Sequence, residues 1–234
     1  MQQTKNADIS VFCTLGVRSV VMDIAEPFTR ASGLSFSTDY QSSIALMDRI
    51  AKGETADVAV ITDATIAALI SQGKVSADSR RDLASVGVGL AVPAGHAKPD
   101  ISTPETLKRA LLAAKSITYT VTGASGIHFA EVIERLGIAD QIKAKATLRD
   151  GLAGELAARG EVDIAVQQIS ELMQVAGIDV IGPLPPELQK TTTFAAGVFT
   201  TAKNPAAAAA LIAWLATPET AAIIKAKGLT PLQQ

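Results

Sequence analysis

Apolar and polar positions alternate along this chain between two periods, one of strands and one of helices. Ile9–Cys13 is a short, mostly apolar run, the pattern of a buried strand. Val17–Ser32 follows with Val20, Val21, Ile24, Ala25 and Phe28 on one helical face, and Gly33 stops it. Leu34–Thr38 predicts a second strand, Ser43–Lys52 a helix ending at Gly53, Val58–Ile61 a buried strand, and Ala64–Gln72 a helix closed by Gly73. Val86–Val92 is a longer apolar strand, and after it a helix is capped by Ser102 or Thr103. A second series follows: strand Ile117–Val121, helix Gly126–Leu136, strand Ala144–Thr147, helix Gly151–Arg159, strand Ile164–Val166 and helix Ser170–Ala176. Val180–Gly182 ends that series, Phe194–Thr200 reads as a returning strand, and helices Pro205–Ala216 and Pro218–Lys227 close the chain.

Repeated βαβ units predict an α/β fold of mainly parallel sheets flanked by helices, with right-handed crossovers. Two such series, joined by one long strand outward and another back, predict two lobes. Residues 1–86 with 195–234 form the first lobe, and the inserted residues 87–194 the second. A ligand is expected in the cleft between them, at the carboxyl ends of the strands.

Composition narrows what such a ligand can be. Of 234 residues, 48% are hydrophobic, which excludes a disordered chain. The 21 Lys+Arg against 23 Asp+Glu leave a net charge of −2, so there is no basic field for nucleic acid. Six Phe, two Tyr and one Trp supply few stacking surfaces for bases or sugars. One cysteine and two histidines make neither a disulfide framework nor a His/Cys metal cage, and no cofactor is expected. No apolar stretch reaches the roughly 20 residues of a membrane span. The polar lead-in Met1–Asp8 favours the trimmed mature terminus of a periplasmic protein, with a cytosolic start as the alternative.

Candidate chemistry concentrates in loops that precede helices, where unpaired backbone N–H groups favour anions. Gly123-Ala124-Ser125-Gly126 combines glycines for close backbone approach with the Ser125 hydroxyl, and His128 lies one turn beyond. It is not a nucleophile elbow, since Ile127 stands where the last glycine would be, and it lacks the Gly-Lys-Ser/Thr ending of a phosphate-binding loop. Arg18 offers a guanidinium that grips a carboxylate through two hydrogen bonds. Arg149, before Asp150 and Gly151, offers another, with Asp150 as a helix cap. Tyr40, Gln41, Ser42 and Ser43 form a polar cluster ahead of a helix, which Ser42 or Ser43 also caps. Gln167 and Gln168 follow an apolar strand, one of them aimed at the cleft as a neutral donor. Cys13 reads as a small buried hydrophobe and His96 as a solvated loop residue.

Several of these segments resemble a known family. Val11–Val17 matches in place the opening strand, loop and helix of periplasmic solute-binding proteins of the two-crossover type, in particular the molybdate-binding group. Leu46, Ile50, Gly53 and Ala56-Asp57-Val58 resemble its "A-L-x-x-Q-I-x-x-G-x-x-A-D-V" segment, and Gly160-Glu161-Val162-Asp163 its "G-E-A-D" stretch. Trp214-Leu215, Thr217-Pro218-Glu219 and Gly228-Leu229 resemble its closing signature. The resemblance implies a type II periplasmic-binding fold that closes on a small anion and hands it to a membrane transporter as a monomer, without inserting in the membrane.

The ligand loops differ from that group. Thr14-Leu15-Gly16 followed by Arg18 replaces Ala-Ala-Ser, Tyr40-Gln41-Ser42-Ser43 replaces Ser-Ser-Gly, and Gln167-Gln168-Ile169-Ser170-Glu171 replaces a Tyr-Lys-Ser-Asp-like run. Leu15 and Gly16 thereby join Arg18, Tyr40, Gln41, Ser42, Gly123, Ser125, Gly126, His128, Arg149 and Gln167 as the expected ligand contacts. The added Arg, His and amide groups favour an organic polycarboxylate over molybdate. The same fold also includes an isomerase acting on aconitate. On that alternative His128, with Glu171 or Asp39 as partner, carries an allylic 1,3-proton shift.

Overall fold

Val58–Ile61 is apolar without interruption because helices pack on the sheet that holds it. That sheet belongs to the first of two compact units into which the chain divides, Met1–Ser85 with Thr193–Gln234, and Val86–Thr192. The computed structural model describes residues 7–232; the polar lead-in at 1–6 lies outside the described residues.

Unit 1 begins β1 (Ile9–Thr14), α1 (Arg18–Ser32), β2 (Phe36–Gln41), α2 (Ser43–Ala51), β3 (Val58–Thr62) and α3 (Asp63–Ser71). β1 pairs in parallel with both β2 and β3, as the βαβ pattern predicts. α1 ends at Gly33, whose φ of 72° is left-handed and closes the helix with an N–H bond to Thr29. Its buried stripe is Val20, Val21, Ile24 and Phe28. On the α2 and α3 side, Phe12, Leu46, Ile50, Ile61, Ile66 and Leu69 form a separate apolar cluster. Asp57 fastens this unit: its carboxylate accepts from the Ser10 N–H (2.8 Å), the Lys203 N–H (2.6 Å) and the Asn204 N–H (3.2 Å).

The chain leaves unit 1 along β4 (Arg81–Pro93), a 13-residue strand that begins five residues earlier than its apolar core predicts. Unit 2 then contains α4 (Pro104–Ala113), β5 (Ile117–Thr120), α5 (Ala124–Arg135), α6 (Ala139–Lys143), β6 (Ala146–Arg149), α7 (Gly154–Ala158), β7 (Ile164–Gln168), α8 (Ile169–Leu172) and β8 (Ile178–Pro183). β5 pairs in parallel with β6 and β7, while β4 pairs antiparallel with β7 and β8. Leu90, Leu107, Leu111, Phe129, Val132, Ile133 and Val166 fill its core. The chain returns along β9 (Thr191–Val198), antiparallel to β3. α9 (Pro205–Leu215), α10 (Pro218–Ala226) and β10 (Thr230–Pro231) complete unit 1. Each unit is thus a mixed α/β layer, parallel within the βαβ series and antiparallel where the long connecting strands join.

Several boundaries move in ways that matter below. β2 extends through Gln41, so Tyr40 and Gln41 are strand residues rather than loop; their pairing with Cys13 and Thr14 carries the ladder that far. β6 ends at Arg149, α7 starts only at Gly154, and Gln167 and Gln168 lie inside β7.

Candidate functional site

In unit 1 the end of β1 leads into a single 3-10 turn, Leu15–Val17, and Arg18 opens α1 directly after it. This short connection places Arg18 over the ring of Tyr40, with its guanidinium carbon 5.5 Å from the ring centroid. Tyr40 reaches that position because it pairs in register with Cys13 across β1 and β2. The Arg18 Nε is enclosed without a hydrogen-bond partner, and no carboxylate among the described residues pairs with the guanidinium. Two other arginines are paired with carboxylates. Arg49 lies 2.6 Å from Asp39 and 2.7 Å from Glu54, and Arg149 lies 3.0 Å from Glu155. A half-buried guanidinium with its donors uncommitted is the arrangement that receives a carboxylate.

Leu15, Arg18, Thr38 and Tyr40 line a cavity of about 580 Å³ in this unit. Burial pushes the Tyr40 hydroxyl above its ordinary value, against a hydrogen bond from Thr38. Burial likewise pushes the Cys13 thiol far up, although Arg18 opposes it, and the thiol donates to the Thr14 carbonyl. Cys13 is therefore a packing residue. Gly16 is buried within the turn. Gln41 is exposed at the end of β2. Ser42 is occupied as the cap of α2, its hydroxyl accepting from Ala45 N–H at 3.2 Å, and Ser43 donates to Thr14 at 3.1 Å.

In unit 2 the glycine-rich turn is built more tightly than its sequence discloses. Gly123 is the N-cap and α5 starts at Ala124, so Ser125 and Gly126 lie in the first helical turn. A Cβ on Gly126 would fall 1.7 Å from the Thr120 carbonyl oxygen, and one on Gly123 would fall 2.5 Å from Thr120 Oγ1. The glycines let α5 sit directly on the end of β5. Thr120 Oγ1 and Ser125 Oγ are both enclosed there without partners. The N–H groups of Ala124 and Ser125, as the first two of the helix, have no intrahelical acceptor. Thr120 escaped the sequence reading; its signal was a hydroxyl at a strand end three residues before a Gly-x-x-Gly turn.

Three of the expected contact residues are engaged within this unit. His128 is buried at 6% exposure, with Nε2 2.7 Å from the Leu188 carbonyl and Nδ1 3.4 Å from Glu131. A carbonyl only accepts, so Nε2 carries the proton, and the ring bonds inside unit 2 rather than standing open as a base. Arg149 ends β6 instead of starting a helix, and Asp150 caps nothing; it accepts from Thr122 Oγ1 at 2.7 Å. Gln167 spends its amide on the backbone, accepting from Ala153 N–H at 2.7 Å and donating to the Gly151 carbonyl at 2.9 Å. The proposed partners of His128 are also engaged elsewhere. Asp39 pairs with Arg49, and Glu171 bonds to Gln168 and Gln167. Glu171 is 8% exposed, and burial raises its pKa to about 7 against those two hydrogen bonds.

Residues 9–230 match the family described as bacterial extracellular solute-binding protein. The chain belongs to this family. Among curated relatives of this solute-binding protein, an aconitate isomerase from a Pseudomonas species is 31% identical over 231 residues, covering 96% of this chain and 88% of that protein. The periplasmic molybdate-binding protein of Azotobacter vinelandii superposes with a TM-score of 0.79 at 20% identity, covering 97% of this chain and 100% of its own. The sulfate-binding protein of Mycobacterium tuberculosis gives 0.76 at 18%, covering 96% and 86%. At these identities the two structures establish the periplasmic-binding fold.

Proposed function

We propose that this solute-binding protein recognises an unsaturated polycarboxylate of the aconitate type and interconverts its isomers. The observation that carries the reading is the half-buried Arg18, held on Tyr40 with no carboxylate pairing it among the described residues, in a chain 31% identical along 96% of its length to an aconitate isomerase. A carboxylate of the ligand fits the guanidinium that no described acidic residue pairs. In unit 2 the open end of α5 is a second anion-directed feature, worth roughly 0.3–1 kcal/mol to a carboxylate when exposed and up to about 2 kcal/mol when partly buried. Scarce aromatics and the net charge of −2 fit recognition by local donors rather than by stacking or a basic field.

The reaction is an allylic 1,3-proton shift. A base takes one proton from the methylene carbon, the double bond moves by one position, and the former vinylic carbon takes a proton. Atoms and charge balance without redox chemistry or a cofactor. The family's extracellular character supports a periplasmic setting. A second reading, delivery of the polycarboxylate to a membrane transporter without conversion, draws on the family's solute-binding description.

A thermal-shift series separates ligand classes. Cis- and trans-aconitate are expected to raise the melting temperature, and molybdate and sulfate are not. A rise with molybdate alone contradicts the polycarboxylate reading.

A further inference from the structure

A carboxylate that no cation claims stands beside the start of α5. β5 and β6 pair in register up to Thr120 and Arg149, and just beyond that pair Asp150 accepts from Thr122 Oγ1 at 2.7 Å. Thr122 directly precedes Gly123, the N-cap of α5. Asp150 is exposed, and among the described residues its carboxylate has no ion-pair partner. The adjacent Arg149 gives its guanidinium to the Asp150 backbone carbonyl at 3.0 Å and to Glu155 at 3.0 Å. Of the nearby acids, Glu131 faces His128, Glu155 pairs with Arg149 and Glu171 is buried. A second set of groups there points to a ligand. Thr120 is 3% exposed and Ser125 1%, and neither hydroxyl has a partner. They flank the helix cap: a Cβ on Gly123 would lie 2.5 Å from Thr120 Oγ1 and 3.8 Å from Ser125 Oγ. Helix bonding begins at Gly126, whose N–H donates to the Gly123 carbonyl at 3.1 Å, so the two N–H groups before it have no intrahelical acceptor.

We infer that Asp150 is the catalytic base of the allylic shift, acting on a substrate with one carboxylate at the start of α5. This deepens the isomerase reading and rests on it. The substrate carboxylate meets the open α5 N–H groups, with the Thr120 and Ser125 hydroxyls as further donors beside them. Asp150 takes the methylene proton, and the C–H electron pair forms the new double bond. The old double bond's pair passes to the former vinylic carbon, which takes the proton back from the Asp150 carboxyl. Nothing is oxidised or reduced. While the proton is off, negative charge spreads over the three carbons and into the carboxylates they carry. Donors aimed at one of those carboxylates therefore lower the barrier. A carboxylate suffices as the base of an allylic shift where donors stabilise the developing oxyanion. As a loop fastening alone, residue 150 needs no charge, because an asparagine oxygen accepts the same Thr122 bond.

Asp150→Asn, Thr122→Val and their double variant test this, with conversion of trans-aconitate followed by proton NMR and affinity by calorimetry. Asp150→Asn is expected to convert about 100–10,000-fold more slowly while keeping its melting temperature. Its affinity for trans-aconitate is expected to hold or to rise by up to about threefold, since an anion beside an anionic ligand is removed. Thr122→Val, which releases the carboxylate from its tether, is expected to slow conversion about tenfold. The double variant is expected to be no slower than Asp150→Asn, as for two groups serving one step. Conversion by Asp150→Asn within about threefold of wild type overturns the assignment, as does a loss of affinity that matches the loss of rate. A wild type that converts nothing overturns the isomerase reading and this base with it. A fast Asp150→Asn beside a converting wild type overturns the base alone.

Discussion

The guanidinium of Arg18 stacks 5.5 Å from the centre of the Tyr40 ring while no carboxylate among the described residues pairs with it. A bidentate ligand carboxylate is worth about 1.5–3 kcal/mol per charged hydrogen bond, so Arg18→Ala is expected to weaken trans-aconitate binding by roughly 10–100-fold. Arg18→Lys recovers only part of this, because an ammonium lacks the planar fork. Tyr40→Ala acts by freeing the arginine and costs less, about 0.5–1 kcal/mol. Titration calorimetry measures all three. Equal affinity in Arg18→Ala and wild type contradicts the assignment.

Glu171 gives stability a pH dependence of unusual sign. Its folded pKa of about 7 lies above the ordinary 4.5, so the folded chain holds a proton that the unfolded chain has released across that interval. Its contribution is complete below pH 4.5 and is lost as pH rises through about 7, with a span on the order of 3 kcal/mol. Melting temperature should therefore fall between pH 5 and 8 in wild type and much less in Glu171→Gln, which should be the more stable protein at pH 8. Parallel curves for the two proteins contradict this. Asp57, held low by its Ser10, Lys203 and Asn204 donors against its burial, acts in the opposite sense, and its contribution is lost only as pH falls below about 3.8.

Gly123 and Gly126 make contacts of different kinds with Thr120. Gly126→Ala drives a methyl into the Thr120 backbone, so α5 must shift, and a destabilisation of several kcal/mol is expected whatever residue 120 is. Gly123→Ala meets only the Thr120 hydroxyl, so adding Thr120→Ala should restore most of its lost stability. Denaturant unfolding of the two single and two double variants checks this. Rescue of Gly126→Ala by Thr120→Ala would show that the close packing is misplaced.

These contrasts mark where a sequence stops speaking. Periodicity located the βαβ series and the residues that fill each core, because burial imposes spacing that survives in one dimension. Ends were harder. Tyr40 and Gln41 look like loop residues by polarity, yet the ladder to Cys13 and Thr14 holds them in β2. The short α6 was missed because Ala139–Lys143 buries too little to set a period. Polar side chains were the least legible. Gln167 and His128 carry groups a ligand could use, but those groups turn to the backbone of Ala153, Gly151 and Leu188, partners set only by folding. Arg18 differs in that no carboxylate among the described residues pairs with it, which only the folded arrangement makes visible.

Cys13 should behave as a core residue. Burial raises its thiol far above the ordinary range, so a thiol reagent at pH 8 is expected to leave it unmodified in the folded protein and to react at the rate of unfolding. Rapid stoichiometric labelling of native protein contradicts the burial.

Incubating the protein with cis-aconitate, and separately with trans-aconitate, in D2O while following the proton NMR spectrum separates an isomerase from a carrier. Conversion between the two isomers is expected, with deuterium entering the methylene position, and much slower conversion in Arg18→Ala. Bound aconitate that neither converts nor takes up deuterium contradicts the isomerase and leaves a carrier of the same ligand.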